Sequence, residues 1–540
     1  MSIDEPLDSG NRFGRREFLV AGAGAGFALA SAGSLNYGAI ARAARTPVAR
    51  GGSFKWGVAS GMPSANDAVL WTRLGGISRS SKLKVEVATD KHFSKVVTSK
   101  DVVASKDGDF TVHTHVGGLK PYSEYFYRFE TKDKHSRVGK FRTLPAADSN
   151  QKLKIGFYSC SSYEAGYFNA QGGLANEDVD LVLCLGDYIY EHHYYDGPRK
   201  DKTGKNKDGD VQSLNEFRQK YRFYQEDPAL QDMHASHSFF SIWDDHEVED
   251  NYAGHGPDSA QDPSDTDTER NTHRSDSDYP RRVPFRKRQM NGYRAFFEAM
   301  PRKRDPKHKN RIYGSVRIGK LAELYLTDER QYRDPQPCND VQVSGCPADD
   351  DPGRTYLGKG QKRWLKKAVP ASKAKWNLLA SETMMMALAT APGVHANHDQ
   401  WDGYGAERKE ILESFLAKNV KNLVVLSGDI HTFIAGDLYT NGETTGEKVG
   451  VELVGGSATS LGLSEETGIP VSTLETIRQA ADPHTIYADF EHRGYCVVDV
   501  SKDELTGTFK QVDALHKNKK PKTLAKFAVE SGDPTLNQVS

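Results

Sequence analysis

The sequence predicts an α+β protein in two parts: an N-terminal β-sandwich over residues 50–147 and a layered α/β domain over 152–535. Three observations predict it. Residues 54–145 hold short apolar runs and alternating stretches of strand length. From Lys152 onward, short apolar runs alternate with longer helical patterns. Four fragments rich in metal-ligand residues sit mostly just after such runs, where open α/β sheets bind ligands. These fragments are Ser159-Cys160, Gly186–Tyr190, Trp243–Glu247 and Ser427–His431. A chain of 540 residues is long enough for more than one domain.

The N-terminus reads as an address. Gly14-Arg15-Arg16-Glu17-Phe18-Leu19 precedes a Gly- and Ala-rich apolar stretch from Val20 to Ala30, and Ala41-Arg42-Ala43 offers an A-x-A cleavage site. A paired arginine before a weakly hydrophobic run resembles a bacterial twin-arginine export signal, here residues 1–43. The run is too short and too rich in glycine for a spanning helix. The expectation is passage through the Tat translocase to a periplasmic or secreted location, with no stable membrane span.

In the first part, Ala68–Thr72 is a short strand-like run, and Leu83, Val85 and Val87 alternate with polar residues. Leu119-Lys120-Pro121 followed by Tyr125–Phe129 resembles the tyrosine corner of a fibronectin-III or immunoglobulin-like sandwich. Thr143-Leu144-Pro145 ends this part, which carries no constellation of reactive groups. In the second part the strand-like runs are Ile155–Tyr158, Val179–Leu185, Phe239–Trp243, Leu321–Leu326 and Leu423–Leu426. Helical patterns cover Tyr293–Met300 and Glu407–Ala417. Two polar insertions, 192–210 and 254–279, are expected to be solvated loops.

Lys+Arg total 72 against 73 Asp+Glu, so the chain lacks the basic excess of a nucleic-acid-binding module. Five cysteines are too few for a disulfide scaffold. Cys184 and Cys496 lie inside apolar runs and are expected to be buried small hydrophobes. Cys338 and Cys346 bracket a short polar loop, and an exported protein would join them in a disulfide.

The four fragments read together as a metal centre. Asp187 and Tyr190 converge if the strand turns at Gly186. A tyrosinate ligand requires a cation that lowers a phenol pKa of about 10, as trivalent iron does. Cys160 and His431 complete a mixed S/O/N set that suits iron better than calcium or magnesium. Asp187 can also bridge to a second, carboxylate-rich position with Asp245 and Asp429, which suits a hard cation such as Ca2+. Asp250 and Asn251 follow on the same loop. His246 is the candidate general acid toward a leaving oxygen. Phosphate-ester hydrolysis at a two-metal centre needs such an arrangement.

With these motifs the sequence resembles a PhoD-type alkaline phosphatase/phosphodiesterase of the metallophosphoesterase superfamily. Gly57–Gly61, Val69–Arg73, Asp328-x-Arg330-Gln331-Tyr332-Arg333 and Phe527-Ala528-Val529-Glu530-x-Gly532-x-Pro534 add to the resemblance. It implies a four-layer α/β/β/α catalytic domain, one Fe3+ and one or two Ca2+. Carried over by position, it implies Cys160, Asp187, Tyr190 and His431 on iron, with Asp187, Asp245, Asp429 and Asn251 on calcium. It further implies a phosphate ester as substrate, cleaved by in-line attack at phosphorus with His246 assisting and Arg330 or Arg333 neutralising a phosphate oxygen. Met62, Asp250 and Ser381-Glu382-Thr383-Met384 depart from the family pattern; Asp250 adds negative charge near the calcium side, and the last change bears on substrate preference more than on chemistry. Two alternatives stay open: a phospholipase D-like diesterase acting on lipid headgroups, and a secreted calcium-stabilised binding protein.

Overall fold

The computed structural model describes residues 46–256, 282–340, 346–391, 394–395 and 397–540. The expected export signal, residues 1–43, lies outside the described residues, as does most of the second polar insertion.

Two large sheets dominate. The ten-stranded sheet runs in the order Leu536–Gln538, Lys522–Glu530, Glu504–Val512, Arg493–Val500, Leu153–Tyr158, Leu181–Leu185, Ser238–Ile242, Val58–Gly61, Asp67–Arg73, Thr111–Gly117. Its three central strands, 153–158, 181–185 and 238–242, are mutually parallel and their residues are nearly all buried. This is why they read as continuous apolar runs rather than alternating ones. The seven-stranded sheet runs Gly314–Ile318, Ala322–Leu326, Trp376–Ala380, Leu423–Ser427, Lys448–Val454, Phe433–Tyr439, Thr485–Asp489.

The two sheets face each other. Along the seven-stranded sheet the side chains alternate between two cores. Leu324, Leu326, Leu378, Val424 and Leu426 pack with the ten-stranded sheet in one cluster, together with Ile155, Phe157 and Val182. Tyr325, Leu379 and Val425 point the other way, onto Leu365 and Val369 of helix Gly358–Ala371 and Ile411 and Phe415 of helix Gly405–Ala417. Period-two alternation thus serves two apolar faces at once.

Ser81–Ala88, Val96–Ala104, Glu124–Glu130 and Gly139–Arg142 form a separate four-stranded sheet. Leu83, Val85, Val87, Tyr127 and Phe129 from this sheet share one core with Val58, Leu70, Val112 and Val116 from the ten-stranded sheet. The Tyr125 hydroxyl accepts the Lys120 backbone N–H at 2.9 Å, the bond expected of a tyrosine corner. Hydrogen bonding crosses from the N-terminal segment into the second part. Val58–Gly61 pairs in parallel with Ser238–Ile242, Ser60 opposite Ser238.

The stretch 192–210 is a loop with exposed lysines, as its composition suggests, but its ends and two of its acidic residues are buried. Lys220 reaches into it from helix Leu214–Tyr224 and donates to Asp201 at 2.6 Å and to the Gly209 carbonyl at 2.7 Å. Both charged side chains are fully buried. Asp210 is paired with His192 at 3.1 Å and Arg282 at 3.0 Å. Asp201 and Asp210 bond inward, while Lys200, Lys202, Lys205 and Lys207 stay exposed. Cys184 and Cys496 are buried as expected, and Cys338 and Cys346 form a disulfide.

Candidate metal centre

The four fragments meet where strands of the two facing sheets end. Cys160 follows strand 153–158, Asp187 follows 181–185, Asp245 follows 238–242, and Asp429 and His431 follow 423–427. Three donor groups result, each with its ligand atoms within 4.8 Å of one another: Cys160, Asp187 and His431; Asp187, Asp245 and His246; and Asp187, Asp244, Asp245 and Asp429. Asp187 belongs to all three. Tyr190 joins the first group. Its hydroxyl lies 3.1 Å from His431 Nε2 and 3.4 Å from Asp187 Oδ2, and it accepts from Ser460 Oγ at 2.7 Å.

The backbone is strained where the ligands sit. Cys160, Asp187, Asn251, Asp429 and His431 have φ of 56°, 51°, 49°, 68° and 54°. Non-glycine residues rarely adopt such values, and they persist only where surrounding structure enforces them. Glu247 supplies part of that enforcement. Its carboxylate accepts the backbone N–H groups of Asp187, Tyr188 and Asp244 at 3.1, 2.7 and 2.8 Å, tying two strand ends together. Gly186 permits the approach: a Cβ there would lie 2.4 Å from Asp244 Cβ.

The donors fit a cation pair. Asp187 Oδ1 and Asp245 Oδ1 are buried and make no hydrogen bond among the described residues, which is costly unless another partner takes them. Burial first, then the Asp187 charge, pushes the Tyr190 phenol and the Cys160 thiol well above their ordinary pKa values. Burial likewise pushes Asp187 well up and Asp429 up to about 6. The phenol, the thiol and Asp187 would become anionic only beside a highly charged cation.

His246 and Arg330 are the local positive charges. Burial works against the His246 charge, but Asp245, Asp187 and Glu191 outweigh it and hold its pKa well above 6.5. Glu191 accepts from His246 Nδ1 at 2.8 Å. Arg330 is fully buried and ion-paired with Asp244, with Asp399 at 2.8 Å, Asp429 at 3.4 Å and Asp245 at 3.5 Å. Arg333 stands further out, paired with Asp399 and donating to the Asn251 carbonyl at 3.4 Å. Asn251 meets the cluster through its backbone N–H, which donates to Asp245 Oδ2 at 2.7 Å.

Several participants carry no role in the sequence reading. Asp244, Glu191 and Glu247 lie in or beside the motifs, and only their burial distinguishes them. Asp399, which pairs with both arginines, and Gln400, whose amide donates to Asp429, lie in no motif. Ser460 sits in a Gly/Ser-rich stretch without a signal.

Known proteins resemble this chain over most of its length. Residues 155–509 match the model of the PhoD-like phosphatase family, and residues 40–145 match that of the PhoD-like phosphatase N-terminal domain. The chain is 33% identical over 519 residues to alkaline phosphatase D of Bacillus subtilis (strain 168), covering 91% of this chain and 83% of that one. A solved structure of PhoD superposes with a TM-score of 0.78 at 30% identity, covering 90% of this chain and 92% of that one. A purple acid phosphatase from yellow lupin (Lupinus luteus) seeds superposes with a TM-score of 0.52 at 11% identity, covering 88% and 73%, and shares the fold alone. With family models over both parts and a relative a third identical along most of its length, this chain belongs to the PhoD-like phosphatase family.

Proposed function

We propose that this chain, a phosphoric ester hydrolase by its family, cleaves phosphate mono- and diesters at a centre of one Fe3+ and one or two Ca2+. The observation that carries the reading is the shared position of Asp187, between a thiol–imidazole–phenol group and a carboxylate group. Cys160, Asp187, Tyr190 and His431 would hold iron. Asp187, Asp245 and Asp429 would hold calcium, with Asn251 at the edge. Bound there, the ions would supply Lewis acidity toward a phosphoryl oxygen and offset the charge of the ester.

The chain's own residues divide the remaining work. Glu191 holds the His246 ring through Nδ1, which leaves Nε2 to give a proton to the leaving oxygen. Arg330 lowers the repulsion among Asp244, Asp245, Asp399 and Asp429, which surround it. Tyr194 and Tyr195 pack against the Tyr190 ring and keep water from it. The Arg15-Arg16 segment supports export by the Tat translocase to the periplasm or beyond. Among the described residues no helix is long and apolar enough to cross a membrane.

The test is metal analysis of purified protein beside rates on a phosphomonoester and a phosphodiester. Iron and calcium should both be present, and a calcium chelator should abolish hydrolysis until Ca2+ is restored. Full activity in iron-free protein, or after verified calcium removal, would overturn the assignment. A marked preference for phospholipid headgroups would move the reading to a phospholipase D-like diesterase.

A further inference from the structure

Two loops concentrate exposed positive charge on a chain that is nearly neutral overall, with 72 Lys+Arg against 73 Asp+Glu. Lys200, Lys202, Lys205 and Lys207 stand exposed on one loop, and Lys517, Lys519, Lys520 and Lys522 on the other. None of the eight makes an ion pair with a described residue. The loops are neighbours because both are bonded to one stretch, residues 163–169, which starts three residues after Cys160. Arg199 Nε donates to the Tyr163 carbonyl at 2.8 Å, and its guanidinium lies 3.6 Å from the Tyr163 ring centroid. Asn169 Nδ2 donates to the Asp513 and His516 carbonyls at 2.7 and 2.8 Å, and the Tyr167 N–H donates to the Ala514 carbonyl at 2.7 Å. Arg199 and Lys517 both approach the Tyr167 ring, at 5.5 and 5.3 Å.

Local structure turns the lysines and one leucine outward. Asp201 is drawn inward to Lys220, so its neighbours Lys200 and Lys202 face solvent. Ala514 is buried against Gly166, where an added Cβ would lie 2.8 Å from the Ala514 Cβ. The Asp513 carboxylate accepts the N–H groups of Leu515 and His516 at 3.0 and 3.2 Å, as in an Asx turn. Leu515 is left 46% exposed. A single exposed leucine is ordinary on a protein surface. A leucine held out by a fixed turn and followed closely by four lysines is different. It pairs the apolar and basic groups that act together at an anionic bilayer.

We propose that Leu515 and the lysines of these two loops form a docking surface for an anionic lipid bilayer. Charge complementarity carries the choice of partner. The eight lysines face Asp196, Asp208 and Asp513 on the same loops, and Asp513 is bonded to His516 Nδ1 at 2.8 Å. Each lysine near such a surface strengthens binding about fivefold at low salt. Their long stems let the ammonium groups reach headgroup phosphates while the loops stay folded. Leu515 decides between occupants. A soluble polyanion would satisfy the lysines but offers an apolar side chain nothing, whereas the acyl boundary of a bilayer takes it out of water. Docked this way, the stretch that follows Cys160 lies next to the bilayer.

The test is co-sedimentation of full-length, metal-loaded protein with vesicles of phosphatidylcholine alone or of phosphatidylcholine mixed equally with phosphatidylglycerol. Binding to the anionic vesicles should be at least about tenfold tighter at ~0.05 M salt and should fall toward the neutral value at ~0.5 M. The combined changes Lys517→Ser, Lys519→Ser, Lys520→Ser and Lys522→Ser should weaken it at least about tenfold. Leu515→Ser should weaken it about threefold to tenfold and leave capture of soluble dextran sulfate unchanged. All five residues are exposed, and the variants should match wild type in their rates on a soluble phosphate ester. The apolar stretch Val20–Ala30 is common to every protein compared, so vesicle binding that survives the lysine changes would belong elsewhere and overturn the proposal. Equal binding to both kinds of vesicle would overturn it too. Vesicle binding unchanged in Leu515→Ser would assign the surface to a soluble polyanion and overturn the bilayer as its partner.

Discussion

Tyr190 and His246 stack face to face, with ring centroids 4.0 Å apart and planes inclined by 28°. The phenol follows one strand of the ten-stranded sheet and the imidazole follows the neighbouring one. A protonated imidazole over a phenol face gains from the ring quadrupole. The proposed proton donor and the proposed iron-side ligand therefore constrain each other.

Tyr190→Phe keeps that stack and removes only the hydroxyl. In iron-loaded protein the phenolate-to-iron charge-transfer band should bleach or shift, and activity should fall about 10–100-fold. Stability should fall by about 1 kcal/mol, from the lost Ser460 hydrogen bond. Visible absorption and urea melts check both. An iron-containing variant with an unchanged spectrum would remove Tyr190 from the ligand set.

Gly186→Ala should damage the centre without touching a ligand. At φ 108° an added Cβ would lie 2.4 Å from Asp244 Cβ, so either Asp187 or Asp244 must shift. The expected loss is about 2–4 kcal/mol from overpacking and left-handed strain together. Metal content should drop with it, measured on protein that still unfolds cooperatively.

Arg330→Met should destabilise the metal-free protein by about 3–5 kcal/mol, because it leaves Asp244 buried and unpaired and Asp399 with Arg333 as its remaining cation. Metal-loaded protein should lose less, since bound cations would offset part of the same negative charge. Denaturant unfolding in the two forms checks this. Equal losses would separate Arg330 from the metal centre.

His234 gives a pH dependence. Burial depresses its pKa to about 3, and it stays neutral against the Tyr188 hydroxyl at 3.0 Å. Its unfolded pKa is about 6.5. Below that value the unfolded chain takes up a proton that the folded chain refuses. The contribution is therefore complete above about pH 6.5 and is lost toward pH 3, at about 1.4 kcal/mol per pH unit. His234→Gln should flatten that part of the stability profile, measured by urea unfolding between pH 7 and pH 4.5. An unchanged slope would show that other groups set it.

The parallel strands were legible because both of their faces are buried, which makes each a continuous apolar run. Leu181–Leu185 and Leu423–Ser427 are the clearest cases. Phe433–Tyr439 and Lys448–Val454 were not singled out, since Gly436, Asp437, Gly450 and Glu452 interrupt their apolar pattern. Their partners explain the interruptions. Glu452 accepts from Ser427 Oγ and from the Met385 and Met386 N–H groups, and a Cβ on Gly450 would meet the Leu423 carbonyl at 2.6 Å.

By itself the sequence determined the candidate ligand types and their order, because Cys160, Asp187, Tyr190, Asp245, Asp429 and His431 stand in short motifs beside strand ends. Chemistry of that kind is local and survives in one dimension. Only the tertiary structure decided that Asp187 is common to three donor groups, that Asp399 and Gln400 brace the centre from a segment without a motif, and that strand Val58–Gly61 joins the catalytic sheet beside Ser238–Ile242. Each of these depends on which distant backbones lie within hydrogen-bond or van der Waals reach. That follows from the packing of two whole sheets against each other, which no window along the chain contains.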